Sequence, residues 1–273
     1  MKSELSSKKV KKRLLNLLLE FDKICSDNKL RYSLCGGTLI GAVRHKGFIP
    51  WDDDIDVMMP RPDYEKLKKI KLNNNREICF PETNSIYPYI YTYAKYYDLD
   101  TELIEFPNSK KIKSHIYIDI FPIDGIENDE SKHYIQYKKV NRLAKMHRLI
   151  RISFYNQNNM NYNYIKRIVW KILWKISFVI PNNFFIKRID KYVNSYEFDK
   201  CKYVGTLVAG FGPKERYEKC MFEITKIDFE GHYFSCISGY DKYLKILYGD
   251  YMKLPELSKR VACHDYIAYE LKK

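Results

Sequence analysis

What this chain lacks narrows it first. None of its seven cysteines (Cys25, Cys35, Cys79, Cys201, Cys220, Cys236 and Cys263) forms a Cys-x-x-Cys pair, and several sit inside apolar runs. An odd, scattered set argues against a disulfide framework or a zinc ribbon, and reads as reduced thiols in a cytosolic protein. No window reaches the ~20 apolar residues that a membrane span requires. The first thirteen residues are basic and polar, and Asn16 and Glu20 interrupt the leucine-rich run behind them, so no secretory signal is read there. There is no internal repeat and no RRM or KH signature. Acid is scarce too: 34 Asp and Glu against 48 Lys and Arg leave a net charge of +14. Such a surface should attract anions, whether nucleotides, nucleic acid or acidic lipid headgroups.

What is present is enough for a packed core. The 273 residues are 45% hydrophobic, sufficient for one large domain or two small ones. Against the basic background one acidic run stands out, Trp51-Asp52-Asp53-Asp54-Ile55-Asp56. Like charges this close repel unless a cation or a substrate compensates them.

Taken in order, apolar residues at three- and four-residue spacing predict a helix over ~8–28, with Ser6 or Ser7 available as its cap. Arg31 to Cys35 is a short strand. Gly36-Gly37 is a turn where backbone can approach a ligand, and Thr38 caps a short helix to Arg44 whose N-terminus suits phosphate. Ile55 to Met59 reads as a strand, with Asp54 and Asp56 on one face because side chains two apart share a side. That spacing lets two carboxylates hold one or two metal ions. A helix over 64–72 follows, with Pro62 at its start, then one or two strands within 87–105 and a basic loop at 108–113.

His115 to Gly125 is a strong strand in which Asp119, set among apolar neighbours, needs a partner. Asp124, before Gly125, reads as a turn former. Helices are expected over ~129–151, 164–180 and 183–196, a strand pair over 223–236 broken near Glu230-Gly231, and a helix from Tyr240 to Tyr248. The segment 164–180 sets Lys166, Arg167, Lys171 and Lys175 among large apolar side chains. It fits a helix packed on the core, the commoner case for such a stripe, or a basic amphipathic helix lying on a membrane surface. Asparagines accumulating between 150 and 163 mark a soft boundary. It divides a catalytic core, 1–150, from a mostly helical portion, 151–273, packed on it.

Gly36-Gly37-Thr38, Arg44-His45-Lys46-Gly47, Ile49-Pro50-Trp51-Asp52-Asp53-Asp54-Ile55-Asp56 and Ile118-Asp119-Ile120-Phe121-Pro122-Ile123-Asp124-Gly125 together resemble the LicD family. So does the tail, Tyr248-Gly249-Asp250-Tyr251-Met252 with Leu254-Pro255. The resemblance is very specific over ~33–66 and carries no shared motif across ~130–205. It implies an α+β, nucleotidyltransferase-like fold, a mixed sheet flanked by helices, shared in outline with fukutin-related protein. It also implies transfer of a phosphorylated alcohol from a CDP-activated donor to a glycan: phosphocholine from CDP-choline in the best-known members, ribitol phosphate or another group in others, with lipopolysaccharide, teichoic acid or their lipid-linked precursors as acceptors.

Carried over residue by residue, Asp54 and Asp56 match the family's two core aspartates, and Asp52 the aspartate after its tryptophan. Asp53 falls at a more variable place. Phosphoryl transfer needs charge neutralisation and positioning, so Asp52, Asp54, Asp56 and Asp119 are the expected ligands of Mg²⁺ or Mn²⁺. Asp54, Asp56 and Asp119 are the expected catalytic residues, Asp119 as third ligand or general base. Gly36, Gly37 and Thr38 are expected to hold the donor diphosphate, and Arg44, His45 and Lys46 a donor or acceptor phosphate. The enzyme is expected in the cytoplasm, peripheral on the inner membrane face. Transfer of NMP instead of the alcohol phosphate, or a nucleic-acid-binding module, are the competing readings.

Overall fold

In the computed structural model, which describes residues 2–72, 75–82, 89–105, 112–156, 162–181, 183–210, 212–262 and 264–271, the chain opens with β1 (Lys2–Glu4). Then comes the helix its apolar spacing dictates, α1 (Ser7–Asp27), burying Val10, Leu14, Leu17, Leu18, Phe21 and Cys25. Parts of the expected 87–105 strand region, of the basic loop and of the asparagine-rich boundary, and Cys263, lie outside the described residues.

The acidic run falls between β2 (Ser33–Leu34) with α2 (Gly36–His45) and β3 (Asp56–Pro60). Next are α3 (Arg61–Leu67), with Pro62 in its first turn, β4 (Arg76–Cys79), β5 (Ala94–Glu105) and the long β6 (Ile112–Ile126). A helical layer follows, α4 (Glu130–Asn156), α5 (Tyr164–Val179) and α6 (Phe184–Val193). The chain ends with β7 (Tyr203–Gly205), β8 (Tyr217–Glu218), the hairpin β9 (Ile224–Phe229) and β10 (His232–Ile237), α7 (Tyr240–Tyr248) and β11 (Tyr266–Leu271).

The fold is α+β. Its main sheet runs β1-β11-β5-β6-β3-β2, with β4 on β5 and β7 and β8 continuing from β6. It is mixed: β3 and β6 are parallel and the other described pairings antiparallel. The last third of the chain is not purely helical, since β7 and β11 return to pair with β6 and β5. The spine is β6, which pairs with β5 over 112–120, with β3 over 119–123 and with β7 over 124–126. Side chains directly opposite on neighbouring strands stand on one face of a sheet. The row Lys95, Asp119, Asp56 across β5, β6 and β3 is therefore a contiguous set.

Three local expectations need correction. Thr38 does not cap α2: Cys35, in extended conformation, precedes the helix, and the Thr38 hydroxyl instead accepts from the Asp56 backbone N–H at 2.9 Å. Asp124 is not in a turn but inside β6, fully buried, accepting from Arg61 Nε at 2.6 Å. Most consequential, α5 buries none of its residues. It packs along α4 and leaves its apolar stripe facing out, so the core-packing reading of 164–180 fails.

Candidate active site

Two glycines make the site geometrically feasible. A Cβ on Gly37 would stand 2.6 Å from Asp52 Oδ2, and one on Gly36, whose φ is +55°, 3.0 Å from Asp56 Oδ2. Bare backbone at the first turn of α2 is what admits both carboxylates beside a helix N-terminus. The first amides of a helix have no partner within it, so they are donors available to an anion. The backbone N–H of Cys35 donates to the Asp56 carbonyl at 3.1 Å, and with the Thr38 hydroxyl on the Asp56 N–H this fixes the start of β3 against α2.

The loop carrying the aspartates is held from both sides. The tip of the β9–β10 hairpin clasps it: Glu230 N–H donates to the Lys46 carbonyl at 2.8 Å, and the Glu230 carboxylate accepts from Phe48 N–H at 3.0 Å. On the other side Arg44 Nη1 donates to the Tyr251 and Lys253 carbonyls, at 2.5 and 3.4 Å. The tail motif noted in the sequence is thereby tied to the acidic run.

Within this frame Asp52, Asp53 and Asp54 can bring one carboxylate oxygen each to within 4.8 Å of one another. Asp56 stands beside Asp119 in register, and the Asp119 N–H donates to the Ile55 carbonyl at 3.0 Å. Burial and mutual repulsion push these acids up. Asp54 is pushed up to about 8, by burial first and by Asp52 next; Asp56 is raised by burial, then by Asp54 and Asp119. Burial also raises Asp52 and Asp119. Clustered acids with hard oxygen donors, each costly to ionise without a counter-charge, suit Mg²⁺ or Mn²⁺, and a cation there would displace protons as it binds.

Two cations that the sequence reading missed already answer part of this charge. Lys95, almost fully buried on β5, places its ammonium 2.7 Å from Asp119 Oδ1. The same nitrogen lies 3.2 Å from the Tyr117 ring centroid and 4.2 Å from that of Tyr91, so the lysine is enclosed by aromatic faces. His264 Nδ1 is 2.9 Å from Asp53 Oδ1 and 3.8 Å from Asp54 Oδ2. The Asp53 contact lifts the imidazole to about 9, so it is a cation at neutral pH. Asp53, outside the expected ligand set, thus joins the acidic cluster. An isolated Lys95 in an aromatic strand gave no sequence signal, and His264 lies 211 residues from its partner.

The structure brings Gly36, Gly37, Thr38, Asp52, Asp54, Asp56 and Asp119 together. It sets Arg44, His45 and Lys46 apart, at the C-terminal end of α2. Arg44 is engaged with the tail, and His45 accepts from Arg44 Nε at 2.9 Å and meets the Trp51 ring edge-on. Lys46, in the left-handed conformation, is exposed. A cavity of about 60 Å³ opens at Gly36 and Asp56 and is lined further by Met58, Phe121, Glu215 and Tyr243. It offers apolar and aromatic wall beside the carboxylates.

The site is thus a mixed sheet presenting carboxylates from adjacent strands to a glycine-led helix N-terminus. Residues 29–156 match the family described as "LicD/FKTN/FKRP, nucleotidyltransferase domain". The chain is 34% identical over 267 residues to the lipopolysaccharide cholinephosphotransferase LicD of Haemophilus influenzae, covering 94% of this chain and 95% of that one. Shorter stretches match uncharacterised proteins of Rickettsia prowazekii (39% over 57 residues, 21% of each chain) and Rickettsia typhi (40% over 50 residues, 18% of this chain and 16% of that one). The chain belongs to the LicD family.

Proposed function

We propose that this protein transfers phosphocholine from CDP-choline to a sugar hydroxyl of lipopolysaccharide or its lipid-linked precursor. The observation that carries the reading is similarity to a lipopolysaccharide cholinephosphotransferase along almost the whole of both chains, acidic run included. The reaction joins the acceptor oxygen to the phosphorus that bears choline. The bond from that phosphorus to the bridging oxygen breaks, and CMP leaves with the electron pair. The acceptor hydroxyl's proton passes to a carboxylate.

This chain's residues supply what such a transfer demands. The first-turn amides of α2, opened by Gly36 and Gly37, bind the donor diphosphate. Asp52, Asp54 and Asp56 would hold Mg²⁺ or Mn²⁺, with Asp119 completing the set or taking the proton. A cation held by these carboxylates would supply charge neutralisation at the transferring phosphoryl group. Burial raises Asp119 and Lys95 partly offsets that by favouring the ionised form, which leaves Asp119 a carboxylate able to take the proton. Transfer near the inner membrane face fits a lipid-linked acceptor. The test is CMP release: purified protein with CDP-choline, Mg²⁺ or Mn²⁺ and a glycan acceptor should release CMP and label the glycan with phosphocholine. A nucleotide left on the acceptor would mean NMP transfer instead.

A further inference from the structure

A surface helix in a globular protein turns its apolar stripe inward. On α5 Trp170, Leu173 and Trp174 turn toward α4, but a second apolar stripe points out. Ile165, Ile168, Val169, Ile172, Ile176 and Val179 fall within an arc of about 100° on the helix, and they are 39% to 82% exposed. Trp170, Leu173, Trp174 and Ser177, on the opposite arc, are half-buried. The orientation is fixed by a buried arginine: Arg151 on α4 donates to the carbonyls of Ser177, Ile180 and Pro181, at 3.3, 3.2 and 2.7 Å. That satisfies the C-terminal end of α5 and pins the helix to α4.

Charge says what covers the stripe. Residues 130–193 contain fourteen Lys and Arg against two acids, Glu130 and Asp190, a balance of +12 within a whole-chain net of +14. On α5 there is no acidic residue. Exposed Lys171 and Lys175 border the stripe on one side and Lys166 on the other. A second copy docked face to face would set lysines against lysines. An anionic bilayer presents acyl chain to the stripe and phosphate to the lysines. No helix among the described residues is long and apolar enough to cross a membrane, so the fitting geometry is a helix lying in its surface.

We propose that α5 is an interfacial anchor, its outward stripe seated at the headgroup–acyl boundary of an anionic membrane with Lys166, Lys171 and Lys175 on lipid phosphates. The anchor serves the proposed transfer by keeping the enzyme beside a lipid-linked acceptor, but it is tested without catalysis.

The experiment is co-sedimentation of the full chain with vesicles of phosphatidylglycerol and phosphatidylcholine, or of phosphatidylcholine alone, at low and high salt. Wild type should bind the anionic vesicles, weakly in high salt, and bind the neutral ones poorly. Ile168→Asp with Ile172→Asp and Ile176→Asp should weaken binding about tenfold or more. Lys171→Gln with Lys175→Gln should weaken it about fivefold per residue. Circular dichroism and unfolding midpoints should be unchanged, because every substituted position is exposed. Should the triple variant misfold, the lysine pair alone decides. Equal binding to both vesicle types, no binding, or unaltered binding by the lysine variant overturns the proposal. So does a lipid-free wild-type dimer that the triple variant converts to monomer, which would make the occupant a second copy. Loss of phosphocholine transfer with vesicle binding intact would count against the proposed function and leave the anchor standing.

Discussion

The Lys95 ammonium and the Asp119 carboxylate, opposite each other across β5 and β6, are 2.7 Å apart inside the protein, with Asp56 next in the same row on β3. One fixed cation thus stands at the edge of a group of acids. Removing it takes away the ion-pair partner of the buried Asp119 and leaves His264 as the cation still facing the acids. Lys95→Met should lower stability by about 3–5 kcal/mol in urea unfolding with EDTA. Mg²⁺ or Mn²⁺ should restore more stability to the variant than it adds to wild type. Equal stabilisation of both proteins would mean that Asp119 does not share the cation site.

Asp56→Asn keeps size and removes charge. It should reduce transfer by at least about a thousandfold, with circular dichroism unchanged. Its midpoint of unfolding in EDTA should match or exceed that of wild type, because a repelling buried acid has gone. Activity within tenfold of wild type would remove Asp56 from the catalytic set.

The glycines give a second, steric test. A methyl at position 37 meets Asp52 Oδ2 at 2.6 Å, so Gly37→Ala should displace that carboxylate and cut transfer by about 10- to 100-fold. Stability should change little, since the carboxylate can swing away. Gly36→Ala adds left-handed strain, about 1–2 kcal/mol, and should lower the unfolding midpoint as well. Full activity in both variants would contradict the close approach of α2 to the acids.

The helical layer should give the protein a pH-dependent stability. Burial lowers the His147 imidazole to about 4, and its Nε2 lies 3.0 Å from the Tyr89 carbonyl. The unfolded chain takes up this proton below about 6.5 while the folded one refuses it. Stability is therefore full above that value and falls between pH 6.5 and 4, by about 3 kcal/mol at most. Asp190 acts oppositely: burial raises it to about 6, so its contribution is full at low pH and is lost as pH rises through 6. Urea unfolding between pH 4.5 and 7 should show a flatter acid limb for His147→Gln, which retains a donor for Tyr89. It should show a smaller loss toward neutral pH for Asp190→Asn. Parallel curves for wild type and His147→Gln would refute the buried neutral histidine.

The sequence made parts of this site legible because they are local. Four aspartates in five positions, a glycine pair and an isolated Asp119 in an apolar strand are short-range signals, and β3 and β6 stand out as short apolar runs. What pairs with Asp119 was not legible, because Lys95 meets it only through the β5–β6 register, and register depends on the whole sheet. His264 reaches Asp53 from the far end of the chain for the same reason. The short pieces β1, β4 and β11 gave no alternation long enough to read. The fate of 164–180 was undecidable on other grounds: periodicity reveals that a helix has an apolar face but not which way it points. Only packing on α4, pinned through Arg151, settles that.

The most direct measurement is CMP release from CDP-choline with a lipopolysaccharide acceptor, in parallel for wild type and Asp56→Asn, each with Mg²⁺ or Mn²⁺ and with EDTA. The account predicts CMP and phosphocholine-labelled acceptor from wild type with metal, and neither from the variant or with EDTA. CMP release undiminished by EDTA, or equal in the variant, would contradict it.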